Sequence, residues 1–270
     1  MKFIIWTWDY GKFVGGVRIQ HKLCHLLNTL GAEAYVTCEI TNPEWNTPVY
    51  DGNGFDKENT IVIYPECIAD NLLNAKYSVR WLLFHQVADY DENDYVFKLF
   101  EHFHSKNNKC DGILRVLDYD LSPWKNLNQK RTHNMVVVRK GAWKLNHIQI
   151  DLPNLIIYDD IEKENSENVI AEYMNICEQV ICLDDTCLIP AQAALCGCIS
   201  IVVPDPNYNA EQWRKLLPVM KFGIAYGNSP LELEHAKFTK NLVRHNVQKI
   251  SDQSIDHVSN FVEYWKNIIK

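Results

Sequence analysis

The sequence predicts an α/β protein made of two small units, each a mostly parallel sheet flanked by helices, facing one another across a cleft. Three observations carry that expectation. Short, unbroken apolar runs rich in β-branched residues, such as residues 179–183 and 199–203, suit parallel strands buried on both faces. Stretches of helical apolar period lie between them, for example residues 17–30 and 169–177. A polar, basic segment without apolar periodicity, residues 126–133, separates two such alternating halves. With 270 residues and 47% hydrophobic content the chain can bury one large core or two small ones.

In chain order, residues 3–8 read as the first strand, followed by a loop containing Gly11, Gly15 and Gly16. A helix over 17–30 carries Leu23, Leu26, Leu27 and Leu30 on one face and stops at Gly31. Residues 34–38 and 60–64 are the next strands. The intervening 42–59, rich in Pro, Asn, Asp and Gly, is a long loop that serves either as a ligand contact or as a surface excursion. Residues 78–84 form a strand ending at His85, and 113–117 another ending at Asp118-Tyr119-Asp120. The second half opens with a strand over 135–138 that runs into Arg139-Lys140-Gly141. Residues 159–164 are an acidic loop, 169–177 a helix, and 179–183 the central strand of that half.

The stretch 183–206 organises the rest. The strand stops at Asp184 and Asp185, Thr186 is a natural N-cap for a compact alanine-rich helix to Cys196, and Gly197 stands where a left-handed residue ends it before the strand 199–203. A helix N-terminus at the carboxyl end of such a strand offers N–H donors to a phosphate. Beyond it, 211–214 open a short helix, 222–227 form a strand and turn, and Ser229 caps one long helix over 231–247. The last segment, 254–269, has Val258, Phe261, Val262 and Trp265 at helical spacing.

The run Gln192-Ala193-Ala194-Leu195-Cys196-Gly197-Cys198-Ile199-Ser200-Ile201-Val202-Val203-Pro204 resembles the donor-site segment of GT-B glycosyltransferases. Asp184 takes the place of the first acidic residue of that segment, and Gln192 the place of a glutamate that in the family holds the donor ribose. Gln192 keeps hydrogen-bonding capacity without the charge. Gly15-Gly16 with the helix after them, Tyr64-Pro65-Glu66 with residues 71–81, Val138-Arg139-Lys140-Gly141, and Tyr226-Gly227 with Glu234-His235-Ala236 are similar, in that order, to family 4-like polysaccharide-building enzymes of bacteria and large viruses.

The resemblance implies a compact GT-B fold: an acceptor-binding, Rossmann-like domain over 1–130, a nucleotide-sugar domain over 131–250, and a helix at 251–270 free to cross back onto the first domain. It implies transfer of a sugar from a nucleotide diphosphate to a glycan or lipid-linked acceptor, without a cofactor or an obligatory metal. Gly15, Gly16, Arg139, Lys140, Thr186 and Gln192 would bind the donor, with Asp184 beside them as a candidate catalytic residue together with Asp9 and His85, and His85 would lie near the reacting sugar. If the reaction inverts, Asp9, His21 or His85 is the base. Two alternatives stay open. Asp118 and Asp120, or the similar Asp89-Tyr90-Asp91, could hold a divalent ion as in GT-A enzymes, or the chain could bind a nucleotide or glycan without catalysis.

Composition narrows the partners. A net charge of −7 and no long Lys/Arg run argue against nucleic acid, although a few placed cations suffice for a diphosphate. The nine cysteines, mostly in apolar segments, read as buried free thiols of a reducing compartment. No apolar run reaches membrane-spanning length, so a cytoplasmic location is expected, with peripheral membrane contact left open.

Overall fold

The computed structural model describes residues 1–12, 14–147, 150–158 and 167–269. The acidic loop expected at 159–164 lies outside them. The chain forms two units, Met1–Asp118 together with Ser251–Lys270, and Tyr119–Ile250. Both are built on wholly parallel sheets.

The sheet of the first unit has six strands: β1 (Lys2–Ile5), β2 (Glu33–Val36), β3 (Thr60–Pro65), β4 (Tyr77–Leu82), β5 (Tyr95–Lys98) and β6 (Gly112–Ile113). Their order is β2-β1-β3-β4-β5-β6. Alternation along β1 shows how it is covered. Phe3 meets Phe261 of the last helix, α7 (Ser254–Ile268), at a ring distance of 5.8 Å, and α7 lies beside the first helix, α1 (Gly15–Thr29). Ile4 points the other way and joins Val62, Tyr64 and Ala75, covered by Tyr50, Phe55, Ile68 and Leu73. These covering residues lie in connecting loops between strands. Loops therefore do on that face what helices do in a larger doubly wound domain, which is how the unit stays small. Arg80 of β4 is buried there, its Nε donating to Asp94 Oδ2 at 2.7 Å and its Nη1 to the Ile68 carbonyl at 2.6 Å.

The second unit has five strands, β7 (His133–Val137), β8 (Leu155–Tyr158), β9 (Cys177–Cys182), β10 (Ile199–Val202) and β11 (Ile224–Tyr226), in the order β11-β10-β9-β7-β8. Its helices are α2 (Glu167–Ile176), α3 (Ile189–Leu195), α4 (Ala210–Leu216), α5 (Pro230–Thr239) and α6 (Val243–Asp252). Numbered within itself, each sheet runs second, first, third, fourth, fifth, so each reverses direction between its first and third strands. In open α/β sheets that reversal opens a crevice at the strands' carboxyl ends, where ligands bind.

Several local expectations are corrected. Gly15 and Gly16 form the first turn of α1, and neither has a positive φ. The strand expected over 113–117 pairs only through Gly112 and Ile113. Side chains take the ladder's place beyond it: Trp81 Nε1 donates to the Leu114 carbonyl at 3.0 Å, and Ser254 Oγ accepts from Leu117 N at 3.0 Å. The helix expected over 231–247 is broken at Lys240–Leu242, where the chain crosses Gly223 with no room for a β-carbon beside Val243.

The polar segment 126–133 is largely exposed but is anchored to the second unit at Leu127 and Arg131. Arg131 donates to the carbonyls of Met174, Cys177 and Cys196, and Asn175 Oδ1 accepts from Leu127 N at 2.7 Å. Residues 119–130, assigned above to the first domain, accordingly belong to the second unit. Gly31 and Gly197 end α1 and α3 with φ of 80° and 97°, as their positions suggested. Among the described residues no helix is long and apolar enough to cross a membrane.

Candidate functional site

The point where the second sheet reverses its strand order lies between β7 and β9, and its carboxyl end is where such sheets bind ligands. Leu183 N donates to the Val137 carbonyl at 2.9 Å, which carries the pairing to the last residues before the turn. Arg139 follows with φ of 42°, a left-handed conformation costly for a side-chain-bearing residue. Gly141 explains how the turn closes. A β-carbon there would stand 2.5 Å from Leu183 Cβ and closer still to the Leu183 carbonyl group. The glycine thus serves contact between two protein segments.

That packing sets Arg139 against Asp184. Arg139 Nε lies 3.9 Å from Asp184 Oδ2. Asp184 is 3% exposed, and its Oδ1 accepts from Thr186 N at 3.0 Å and from Thr186 Oγ1 at 2.7 Å. Thr186 therefore closes a turn on Asp184 and caps no helix. α3 starts at Ile189, after Leu188, with Pro190 in its first turn, and spans seven residues. Gln192 sits half-buried in the middle of α3, and Lys140 is exposed beside Arg139.

Lys144 joins this edge and was not foreseen. It is 3% exposed, donates from Nζ to the Val203 carbonyl at 2.8 Å, and lies 3.5 Å from Asp185 Oδ2. Burial raises the Asp185 carboxyl above its ordinary value, and the Lys144 charge offsets part of that. Nothing in the sequence separates Lys144 from a surface lysine, because its burial follows from the turn Gly141 makes. Trp213 Nε1 donates to the Asp185 carbonyl at 2.9 Å and stacks on Tyr226 at 4.8 Å, while the Tyr226 hydroxyl accepts from Asp205 N at 2.9 Å. The carboxyl ends of β7, β9, β10 and β11 thus share one polar rim.

In the first unit the residues after β1 are firmly anchored. Thr7 Oγ1 donates to Gln20 Oε1 at 2.8 Å, and His21 Nε2 donates to the Trp8 carbonyl at 3.0 Å. Asp9 Oδ1 accepts from Glu39 N and Ile40 N, both at 2.9 Å. The Trp8 indole, in contrast, is 48% exposed. His21 is fully buried, and burial lowers its pKa. His85, after β4, accepts through Nδ1 from His104 N at 3.1 Å and stacks on His104 at 4.9 Å, which leaves the proton of its neutral form on Nε2.

In the alternative metal pair, Asp118 is engaged by protein cations. Arg18 grips Asp118 Oδ2 through Nη2 at 2.7 Å, and Lys22 Nζ lies 3.8 Å from Asp118 Oδ1. Asp120 Oδ1 accepts from Ser122 N, closing a local turn. In the other Asp-x-Asp, Asp89 pairs with Lys106 and Asp91 accepts from Asn93 N. Among the described residues no group of three or more His, Cys, Asp or Glu is placed to hold a metal ion.

Solved glycosyltransferases are similar to this chain along nearly its whole length. MurG of Acinetobacter baumannii is 14% identical, with 98% of this chain and 100% of that one covered and a TM-score of 0.38. A mutant of the phage T4 protein BGT in complex with UDP-glucose is 9% identical, with 97% and 99% covered and a TM-score of 0.47. The glycosyltransferase SnogD from Streptomyces nogalater is 11% identical, with 98% and 99% covered and a TM-score of 0.43. No family model matches the chain, and no curated protein matches it. Identities this low assign no residue a role.

Proposed function

We propose that the chain is a glycosyltransferase that moves a sugar from a nucleotide-diphosphate sugar to a hydroxyl of a glycan or glycoconjugate, without a metal. The observation that carries the reading is Arg139, held in a left-handed turn 3.9 Å from Asp184 at the crevice between β7 and β9. Breaking the bond to the sugar leaves negative charge on the β-phosphate, and fixed donors aimed at that charge lower the barrier. Arg139 offers forked donors and the exposed Lys140 a point charge. Asp184 and Thr186 hold the guanidinium side of the crevice in place.

The first unit supplies the acceptor role in this reading. A broad exposed indole next to a carboxylate, as at Trp8 and Asp9, matches a sugar, whose ring faces are apolar and whose rim is hydroxylated. Asp9 and His85 are the candidate bases. The engagement of Asp118 by Arg18 and Lys22 disfavours the metal-dependent alternative.

The test is thermal unfolding with UDP, GDP, ADP and their sugars in EDTA. One nucleotide diphosphate is expected to raise Tm, and Arg139→Ala to abolish the rise. An unchanged rise in the variant removes Arg139 from the site, and a rise that requires manganese overturns the metal-free mechanism. The neutral Gln192 favours a second reading, a binding subunit without catalysis. Ligand-induced stabilisation with no transfer or hydrolysis of any nucleotide sugar would select it.

A further inference from the structure

Two thiols flank the turn that carries Asp184. Cys182 is the last residue of β9 and fully buried, and Cys187 is partly exposed. Their sulfurs lie 3.6 Å apart, and both donate to one carbonyl, that of Asp184, at 3.1 and 3.5 Å. The segment between them, Leu183-Asp184-Asp185-Thr186, contains the partner of Arg139, the partner of Lys144 and the carbonyl that receives the Trp213 indole.

We infer that Cys182 and Cys187 are a reversible oxidation site, and that closing their disulfide displaces the Asp184–Thr186 turn. A disulfide needs its sulfurs about 2.05 Å apart. The sulfurs must close from 3.6 Å, and because both side chains sit on one turn, the closure pulls on that turn. Both thiols lose their protons in the process, so the Asp184 carbonyl loses both donors at once.

The oxidant is a peroxide. The more accessible of the two sulfurs, as the Cys187 thiolate, attacks one peroxide oxygen; the O–O bond breaks, sulfenic acid forms and hydroxide leaves. Cys182 sulfur then attacks the sulfenic sulfur, the S–S bond forms, and the S–O bond breaks with loss of water. The two sulfurs give up two electrons and the peroxide accepts them. A dithiol reductant reverses the change by exchange. The hydrogen bond with Cys182 and burial hold the Cys187 thiol protonated, so the first step is slow at neutral pH and faster in mild alkali.

The site stands on its own geometry, and only its effect on nucleotide rests on the function proposed above. Full-length protein is treated with hydrogen peroxide in mild alkali, alkylated, and cut by a protease specific for aspartate. Asp184 and Asp185 lie between the cysteines, so the two sulfurs fall on separate peptides unless bonded. The expected product is a linked Cys182–Cys187 peptide, lighter by about 2 Da than its two halves and split by dithiothreitol.

The Trp213 indole N–H resonance, assigned by its loss in Trp213→Phe, is expected to move on oxidation and return on reduction. Cys187→Ser is expected to show neither change. Recovery of Cys187 as sulfinic acid, or of both cysteines as alkylated thiols, overturns the disulfide. A linked peptide with an unmoved Trp213 resonance overturns the displacement. Neither readout uses a nucleotide. If reduced protein does bind UDP, oxidation is expected to abolish the Tm rise, whereas absence of any rise in reduced protein counts against the proposed function alone.

Discussion

Gly141 lies so close to Leu183 that a β-carbon on it would stand 2.5 Å from the Leu183 Cβ. The contact joins the turn after β7 to the end of β9, and so fixes Arg139 and Asp184 relative to each other. Gly141→Ala is expected to cost about 1–3 kcal/mol by overpacking. It should also weaken nucleotide binding, because the turn must lift away from Leu183. Urea unfolding and a nucleotide titration of the same variant check both effects, and an Ala variant of full stability would show that the turn yields freely.

Arg139 inverts the usual ranking of alanine and glycine. Its φ of 42° suits glycine and strains alanine. Arg139→Gly is therefore expected to be more stable than Arg139→Ala by about 1 kcal/mol, a comparison in which loss of the guanidinium cancels. Both variants should lose the nucleotide-induced rise in Tm. Equal denaturation midpoints for the two would mean that the left-handed turn is not kept in solution.

The Arg80–Asp94 pair is buried, with both side chains nearly inaccessible. Arg80 also lies 4.8 Å from the Tyr64 ring centroid. Removing one partner of such a pair leaves an uncompensated charge, so Arg80→Ala is expected to destabilise the first unit by about 3–5 kcal/mol. Arg80→Met combined with Asp94→Leu should recover most of that loss. Chemical denaturation of the single and double variants gives the answer, and a double variant as unstable as the single one would contradict it.

Acid should weaken the first unit. Burial, and then the neighbouring His85 and His104, push the pKa of His102 down from 6.5 to about 4. His21 and His257 are lowered as well, both chiefly by burial. Between about pH 6.5 and 4 the unfolded chain then binds protons that the folded chain refuses. The stability each group contributes is full above its unfolded pKa and is lost as pH falls toward its folded one. Denaturant midpoints are expected to drop across that window, and His102→Gln should make the drop shallower. The same slope in wild type and variant would remove His102 as a source.

Much of the second sheet was legible in the residues because β7, β10 and β11 are mostly buried. A run such as Val180-Ile181-Cys182-Leu183 has one stable setting, and Gly197 marks the helix end by its backbone conformation. The start of α3 was misplaced because Thr186 satisfies two tests at once. It is a good cap by type, yet its hydroxyl donates to Asp184 two residues back. Lys144 and Arg131 were hidden for a related reason: each is a polar residue held by a carbonyl distant in sequence, Val203 for one and Cys196 for the other. Strand β5 escaped notice as well, since four residues ending in a buried lysine give no clear period.

The placement of α7 bears on how this protein is made. The second unit is one continuous stretch, while the first draws its last helix from beyond it. Phe3, Tyr77 and Phe97 obtain their aromatic neighbours Phe261 and Trp265 only after the second unit has been translated. During synthesis the amino-terminal sheet must therefore wait with the ground beside α1 uncovered, open to chaperones and to aggregation, while its successor is already able to fold on the ribosome.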